Sequence, residues 1–173
     1  VRGMRAEPRF DPSRRAFLRT LTPDAPGANR LPWSDPVRLA ELCTRCGDCL
    51  PVCDEGVLVF GDGGYPTVDF ERGGCTFCGD CASVCKADVF AVARAQPWSF
   101  TAHVGSDCLG ARGIVCDACR ESCELGAVRI VRAVGTAPIA TIEPEKCTGC
   151  GFCVSVCPAD AISFSEGSRG TEG

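Results

Sequence analysis

The sequence predicts an α+β fold made of two tandem βαββαβ-type modules that follow an extended N-terminal arm. Three observations predict it. The chain of 173 residues carries 16 cysteines, which fall into four clusters of similar spacing. Each cluster is followed by a few turn-forming residues and a short apolar run typical of a strand. The clusters also pair by distance along the chain, because the intervals Cys43–Cys75 and Cys116–Cys147 are nearly equal, whereas the interval Cys75–Cys116 is clearly longer.

The arm is predicted over residues 1–37, which contain seven arginines, six of the 12 prolines and no cysteine. Such a segment buries little apolar surface. Its residues 13–19, SRRAFLR, match the start of a twin-arginine export signal. The continuation contains Pro23, Asp24 and Pro26 and offers no apolar h-region, so we do not expect export. Two interpretations stay open: a basic helix start with Phe17 and Leu18 docked on the core, or a recognition arm.

The two modules are predicted over residues 38–95 and 104–165, and residues 166–173 form a polar tail. Each repeat reads as strand, cysteine loop, short helix and strand. Residues 95–105 are predicted as a connector. The predicted strands are 57–60, 67–70, 89–92, Val128–Val131, Ile139–Ile142 and 161–164.

Three of the four cysteine groups have the spacing C-x2-C-x2-C-x3-C. Bacterial ferredoxins use this spacing to hold a [4Fe-4S] cluster. The modules are therefore predicted to be bacterial ferredoxin-like. Zinc is the first alternative, but it favours paired C-x2-C units separated by a longer loop. Disulfides are the second, but they need an oxidising compartment. We expect four [4Fe-4S] clusters in a reduced, cytoplasmic protein.

In two-cluster ferredoxins the fourth cysteine of each motif binds the neighbouring cluster. The same exchange within each module predicts every ligand set. The predicted ligands are Cys43, Cys46, Cys49 and Cys85 for cluster 1; Cys75, Cys78, Cys81 and Cys53 for cluster 2; Cys108, Cys116, Cys119 and Cys157 for cluster 3; and Cys147, Cys150, Cys153 and Cys123 for cluster 4.

Three of these clusters are secure on spacing, and cluster 3 is the least certain. Cys108 is displaced by five residues from the position the other motifs give, so it is either a ligand or a structural free thiol. Counting it as a ligand completes four thiols per cluster. The lone His103 could replace a thiolate, although an ordinary strand or linker histidine is the simpler interpretation. Trp33, Tyr65 and Trp98 are expected to pack over the modules.

Charge and residue content exclude several classes of protein. The formal net charge of −4 argues against a nucleic-acid binder. Bound clusters would add further negative charge, which favours partners with basic surfaces. No apolar run is long enough for a membrane span. The sequence has no nucleophile paired with a base and no phosphate-binding glycine loop, so no pattern in it indicates an enzyme.

Several of these features together resemble the NapF family, the ferredoxin-type accessory proteins of periplasmic nitrate reductase systems. They are the SRRAFLR arm, Pro32-Trp33-Ser34, CTRCGDC, Gly63-Gly64-Tyr65-Pro66, the displaced third motif with CDACRESCE, and CTGCGFC-x3-CP. The resemblance implies a non-catalytic cytoplasmic protein that acts on the catalytic subunit NapA before its export. Maturation of that subunit, by cluster assembly or redox preparation, is then the expected function. The alternatives are a plain polyferredoxin electron carrier and an enzyme subunit with its own active site.

Overall fold

The computed structural model describes residues 31–34, 36–91, 97–132, 135 and 137–166. The predictions for the twin-arginine motif, for Phe17 and Leu18, and for the tail from residue 167 onward lie outside these residues. The fold is of mixed α/β class, as the sequence predicts. Among the described residues, no helix is long and apolar enough to cross a membrane.

The regular elements are short and are separated by the cysteine loops. The helices are α1 (Pro36–Leu42), α2 (Asp80–Ser83), α3 (Ala118–Glu121) and α4 (Phe152–Ser155). The strands are β1 (Leu58–Phe60), β2 (Pro66–Val68), β3 (Phe100–Val104), β4 (Val128–Val131), β5 (Ile139–Ile142) and β6 (Ile162–Glu166).

The described strands form three two-stranded antiparallel sheets, β1 with β2, β3 with β6 and β4 with β5. β1 and β2 are joined by the 3-10 turn Asp62–Gly64, in which Gly63 has φ 66°. β3 and β6 pair from Phe100 opposite Glu166 to Val104 opposite Ile162, which closes the second half of the chain around its two cysteine motifs. Because each sheet has only two strands, side-chain packing and the cysteine sites must supply much of the stability.

The sequence prediction is wrong for two segments. Strand β3 lies inside the predicted connector 95–105, and its partner β6 follows the last cysteine motif, at the other end of the second half of the chain. No strand forms over the described residues 89–91 of the predicted strand 89–92. Ala91 donates its N–H to the carbonyl of Trp33 at 2.7 Å. No ladder extends from it, because Pro32 has no N–H and Trp33 has φ 58°, outside the β region.

The described residues form two hydrophobic cores, one in each half of the chain. Buried residues of the first are Leu31, Leu39, Cys49, Leu58, Cys81, Val89 and Phe90. Those of the second are Ala102, Cys119, Ala127, Val128, Ala140, Cys147 and Ile162. Cysteines thus belong to both cores. Leu31 and Trp33, at the end of the predicted arm, are only 2% and 9% exposed, so this part of the arm packs on the first half.

An aromatic cluster joins the two halves. Phe70, from the first half, contacts the rings of Trp98, Phe100 and Phe164 at centroid distances of 5.8, 6.3 and 4.9 Å. The indole Nε1–H of Trp98 donates to the carbonyl of Thr148 at 2.7 Å. Trp98 is therefore a packing residue, as the sequence predicts, and it lies at the boundary between the halves.

Two glycines let the rings of Phe70 and Phe152 pack closely against the opposite half. Gly74 lies against the ring of Phe152, and Gly151 lies against the ring of Phe70. A Cβ at either glycine would overlap the ring. The contact is therefore reciprocal, with each half giving one aromatic ring and one glycine. We call these four residues the glycine–phenylalanine contact.

Candidate functional site

Four cavities in the described part of the chain are lined by cysteines, and each is lined by one of the predicted sets. They are site 1 with Cys43, Cys46, Cys49 and Cys85; site 2 with Cys53, Cys75, Cys78 and Cys81; site 3 with Cys108, Cys116, Cys119 and Cys157; and site 4 with Cys123, Cys147, Cys150 and Cys153. Cys75 of site 2 also lines the cavity of site 4. The fourth cysteine of each motif lines the cavity of the other motif in its half, and all 16 cysteines are free thiols.

The cavities differ in size. Sites 1 and 4 enclose about 370 and 280 Å³, and site 2 about 110 Å³. Site 3 encloses only about 20 Å³ and is lined by Cys108, which the sequence leaves least certain. Among the described residues, no three His, Cys, Asp or Glu side chains are placed to hold a single metal ion.

The backbone of three cysteine loops follows one pattern. The residue before the second cysteine is left-handed in motifs 1, 2 and 4, with φ of 59° at Arg45, 58° at Phe77 and 73° at Gly149. The glycine after the second cysteine is left-handed as well, at Gly47, Gly79 and Gly151. Two left-handed residues curl the loop so that three thiols face one cavity. Glycine adopts this conformation without strain, which explains its place in the motif.

The third motif is built differently. Asp117 stands where the other motifs have the second left-handed residue, and it has φ −137° at the N-cap of helix α3. Between Cys116 and Cys123 no residue is left-handed. Cys108, the predicted first ligand, instead lies beside a separate turn, in which the Ile114 N–H donates to the carbonyl of Leu109 at 2.9 Å. The displacement of Cys108 is therefore accommodated by a compact turn that brings its thiol to site 3.

Burial and mutual repulsion raise the pKa of several thiols. Burial, followed by the charges of Cys43, Cys46 and Cys85, raises the pKa of Cys49 to about 11. Burial also raises the pKa of Cys75 to about 11 and those of Cys81 and Cys153 to about 12. For Cys119, burial and then Cys116, Cys108 and Cys157 raise the pKa. Such thiols are neutral at pH 7 until a cationic core draws off their protons.

The same repulsions give the order of the sites. Cys49 of site 1 contributes to the raised pKa of Cys81 in site 2. The charge of Cys150 in site 4 contributes to the raised pKa of Cys75 in site 2. The backbone N–H of Cys75 also donates to the Cys150 carbonyl at 2.7 Å. The charge of Cys119 in site 3 contributes to the raised pKa of Cys153 in site 4. The four sites therefore lie in the order 1, 2, 4, 3.

Backbone N–H groups point at several of the sulfurs. The Sγ atoms of Cys43 and Cys147 accept from Arg45 and Ala102, both at 3.4 Å. Those of Cys123 and Cys157 accept from Ala127 at 3.2 Å and Ala161 at 3.4 Å. Donors of this kind stabilise thiolates and the reduced state of a bound cluster. With the thiol-lined cavities and the loop geometry, they fit the requirements of iron–sulfur clusters.

Other residues singled out from the sequence lie away from the thiols or support them. His103 is exposed on β3, and its Nε2 is 2.8 Å from the Ser163 hydroxyl on β6, which fits an ordinary strand histidine. The Tyr65 hydroxyl lies 2.9 Å from an Arg45 guanidinium nitrogen. Sequence reasoning missed Arg45. The sequence does single this residue out, because no other C-x2-C unit of the chain contains a basic residue between its two cysteines.

Comparison with known proteins agrees with this geometry. Residues 42–89 match the 4Fe-4S dicluster domain family, and residues 140–163 match the 4Fe-4S binding domain family. The chain is 42% identical to the Ferredoxin-type protein NapF of Haemophilus influenzae, over 79% of this chain and 78% of the relative. It is 33% identical to the protein of that name in Escherichia coli K12, over 90% and 95% of the two chains.

A more distant similarity covers part of a longer protein. The chain is 35% identical to a subunit of the ion-translocating oxidoreductase complex of Methanosarcina acetivorans, over 70% of this chain and 46% of that longer protein. The bound cofactor of both matched domain families is the [4Fe-4S] cluster that the cysteine spacing predicts.

Proposed function

Because the chain belongs to the NapF family of ferredoxin-type proteins, we propose that it is a four-cluster iron–sulfur accessory protein of the periplasmic nitrate reductase system. In this proposal it acts in the cytoplasm on the catalytic subunit NapA before export, by assembling or reducing that subunit's cluster. The observation that carries the proposal is the arrangement of 16 thiols around four cavities, each lined by one complete set of four, with Cys75 lining the site 4 cavity as well.

When bound, a [4Fe-4S] cluster accepts and returns a single electron. The chain's own residues hold it, limit its contact with water and supply N–H donors to its ligands. Site 4 is walled by apolar residues such as Ala127, Val128 and Ile142, which lower the local dielectric. No substrate chemistry of the chain's own enters the proposal, so we propose that it is not an enzyme.

Charge favours a basic docking surface on the partner. The chain carries −4 before any cluster is added, and each cluster with four thiolates adds roughly two negative charges. Attraction to a basic partner would speed the encounter and weaken with added salt.

A plain electron carrier is the second candidate, and the order of the sites favours it. Sites 1, 2, 4 and 3 follow one another with neighbouring thiols close enough to influence each other's pKa. A continuous row of clusters suits electron transfer, whereas cluster delivery requires only one labile site.

An anaerobic pull-down separates the two candidates. The iron-loaded protein is offered the NapA precursor and the mature, cofactor-complete NapA, and iron is counted in each protein before and after. We expect preferential binding of the precursor, with either iron or reducing electrons appearing in it. Equal binding of the mature subunit, with no movement of iron, would establish the electron carrier instead.

A charge-matched pair of variants tests the arm in the same assay. Arg14→Ala with Arg15→Ala removes the twin arginines, and Arg5→Ala with Arg9→Ala removes the same charge elsewhere in the arm. We expect the first pair alone to weaken capture of the precursor, because the proposed docking is specific. Equal weakening by both pairs would reduce the contribution of the arm to general charge attraction.

A further inference from the structure

The charged residues that line the four sites are not equivalent. Site 1 is lined by two cations, Arg45 and Lys86, and one anion, Asp48. Site 2 is lined by three anions, Asp54, Glu55 and Asp80. Site 4 has one charge of each sign, Glu124 and Lys146. The residues lining site 3 carry no charge. The surroundings are thus net positive only at site 1 and most negative at its neighbour, site 2.

Arg45 is held in place beside site 1. Its guanidinium carbon lies 4.4 Å from the centroid of the Tyr65 ring, a cation–π distance, and its NH2 nitrogen is 2.9 Å from the Tyr65 hydroxyl. The Tyr65 hydroxyl donates to the Ala40 carbonyl at 3.3 Å, which ties the tyrosine to helix α1. An anchored guanidinium keeps its charge at the site, whereas a free arginine side chain would spread it through solvent.

The Arg45 backbone acts at the same place. Its N–H donates to the Sγ of Cys43 at 3.4 Å. In the loops of sites 2 and 4 the corresponding residues are Phe77 and Gly149, which bring no charge. Adding an electron to a cluster makes it more negative, so a nearby cation stabilises the reduced state and raises the potential, while carboxylates lower it.

We propose that site 1 holds the cluster of highest potential, that site 2 holds the cluster of lowest potential, and that Arg45, supported by Lys86, sets this difference. The proposal rests on the four-cluster function proposed above. Site 1 is also one end of the row of sites. A single electron passing from the site 2 cluster oxidises that cluster and reduces the site 1 cluster, with no bond made or broken. Electrons supplied by a one-electron donor therefore collect at the Arg45 end.

The test is a potentiometric titration of the full-length, iron-loaded protein under argon, followed by low-temperature electron paramagnetic resonance. Iron, sulfide and spin are counted first, so that incomplete loading is seen as a failure of the four-cluster proposal alone. Cys46→Ser identifies the site 1 signal, because Cys46 lines that site. We expect the change in Cys46→Ser to fall on the signal that appears at the highest potential.

Arg45→Gln keeps every ligand and removes the charge. We expect the reduced-to-oxidised ratio of the site 1 cluster, at its original midpoint, to fall by up to about tenfold, equivalent to about 59 mV for one electron. Arg45→Lys should restore much of the ratio, since it restores the charge without the planar fork. Arg129→Gln is the control, because Arg129 is an exposed arginine of β4 that lines none of the four sites.

Two results would overturn the proposal. The highest-potential signal could remain unchanged in Cys46→Ser, which would place it at another site. Alternatively, Arg45→Gln could move the site 1 midpoint no more than Arg129→Gln does. If Cys46→Ser fails to load iron, Arg45→Gln and its control decide the matter without it.

Discussion

At the scale of single residues, the deepest thiols are held where a negative charge is poorly solvated. Burial raises the pKa of Cys81 and Cys153 from 9.0 to about 12, and nearby cysteines of their own and neighbouring sites add to the effect. Without iron these groups are neutral and resemble small apolar side chains of the core. In the proposed iron-loaded protein they would become ligands, and the metal would balance their charge. The same residue thus serves the core and the site in turn.

This predicts a loss of stability in the iron-free protein as the pH rises. Between pH 9 and about 12 the unfolded chain has lost these protons while the folded chain keeps them. The folded state then binds more protons, so its free energy of unfolding falls with rising pH. Urea titrations of iron-free protein at pH 8, 9 and 10 should give successively lower midpoints. The iron-loaded protein is the control, because its thiols hold no protons, and a fall of equal size there would contradict this explanation.

At the scale of elements, each half is closed by cysteines that cross from one motif to the other. Cys85 follows helix α2 of the second motif yet lines site 1, and Cys53 of the first motif lines site 2. The short helices of the cysteine motifs are not stable alone. They form because the loop before them is fixed and because the following cysteine is placed at the neighbouring cavity.

The third motif allows a test of this construction. We expect Cys108→Ser to lose one cluster, about a quarter of the iron of a four-cluster protein. Cys116→Ser should lose the same quarter, and the double variant should lose no more than either single variant, because both thiols belong to one site. Iron and sulfide analysis of the purified proteins measures this. Full iron in Cys108→Ser would make Cys108 a structural free thiol.

The elements also show which parts of the fold could be read from the sequence. Spacing predicts four sets of cysteines as ligands, and each set lines one cavity, although its role as a ligand set stays a prediction. β4 and β5 follow their apolar patterns, Val128–Val131 and Ile139–Ile142. β3 could not be read, since Phe100–Val104 becomes a strand only when β6 arrives from beyond the last cysteine motif. The contact between Arg45 and Tyr65 also depends on tertiary structure, because the two lie on either side of strand β1 in the chain.

At the scale of the whole molecule, the relation between the halves rests on the glycine–phenylalanine contact and on Trp98. Cys75 and Cys150 lie directly beside residues of this contact, and the Cys75 N–H donates to the Cys150 carbonyl. Site 2 therefore lies next to site 4. Each half alone would hold two sites. The contact is what joins two separate pairs into one row of four.

Gly151→Ala tests this joint, and Gly79→Ala is its matched control. Both glycines follow the second cysteine of their motifs, with φ of 90° and 85°. Both substitutions therefore cost roughly 1–2 kcal/mol of backbone strain. Only Gly151 faces a ring, that of Phe70, whereas nothing lies within 4 Å of a Cβ at Gly79. Gly151→Ala should cost about 1–3 kcal/mol more through overpacking.

Urea denaturation measures that difference, and magnetic resonance measures its effect on the sites. We expect spin coupling between the reduced clusters of sites 2 and 4 to weaken in Gly151→Ala and to persist in Gly79→Ala. Equal losses of stability in both variants, with coupling intact, would show that the halves are held together elsewhere.

The end of the predicted arm gives the molecule a mechanical connection. Leu31 forms part of the wall of site 1, and Pro32 and Trp33 form part of the wall of site 2. The backbone of Trp33 also accepts a hydrogen bond from the Ala91 N–H and donates one to the Pro97 carbonyl, so it connects Ala91 with Pro97. A pull on the arm passes first to the lining of one cluster site and then, through the adjoining residues, to the lining of the next. A partner that binds the arm would therefore also act on the lining of sites 1 and 2.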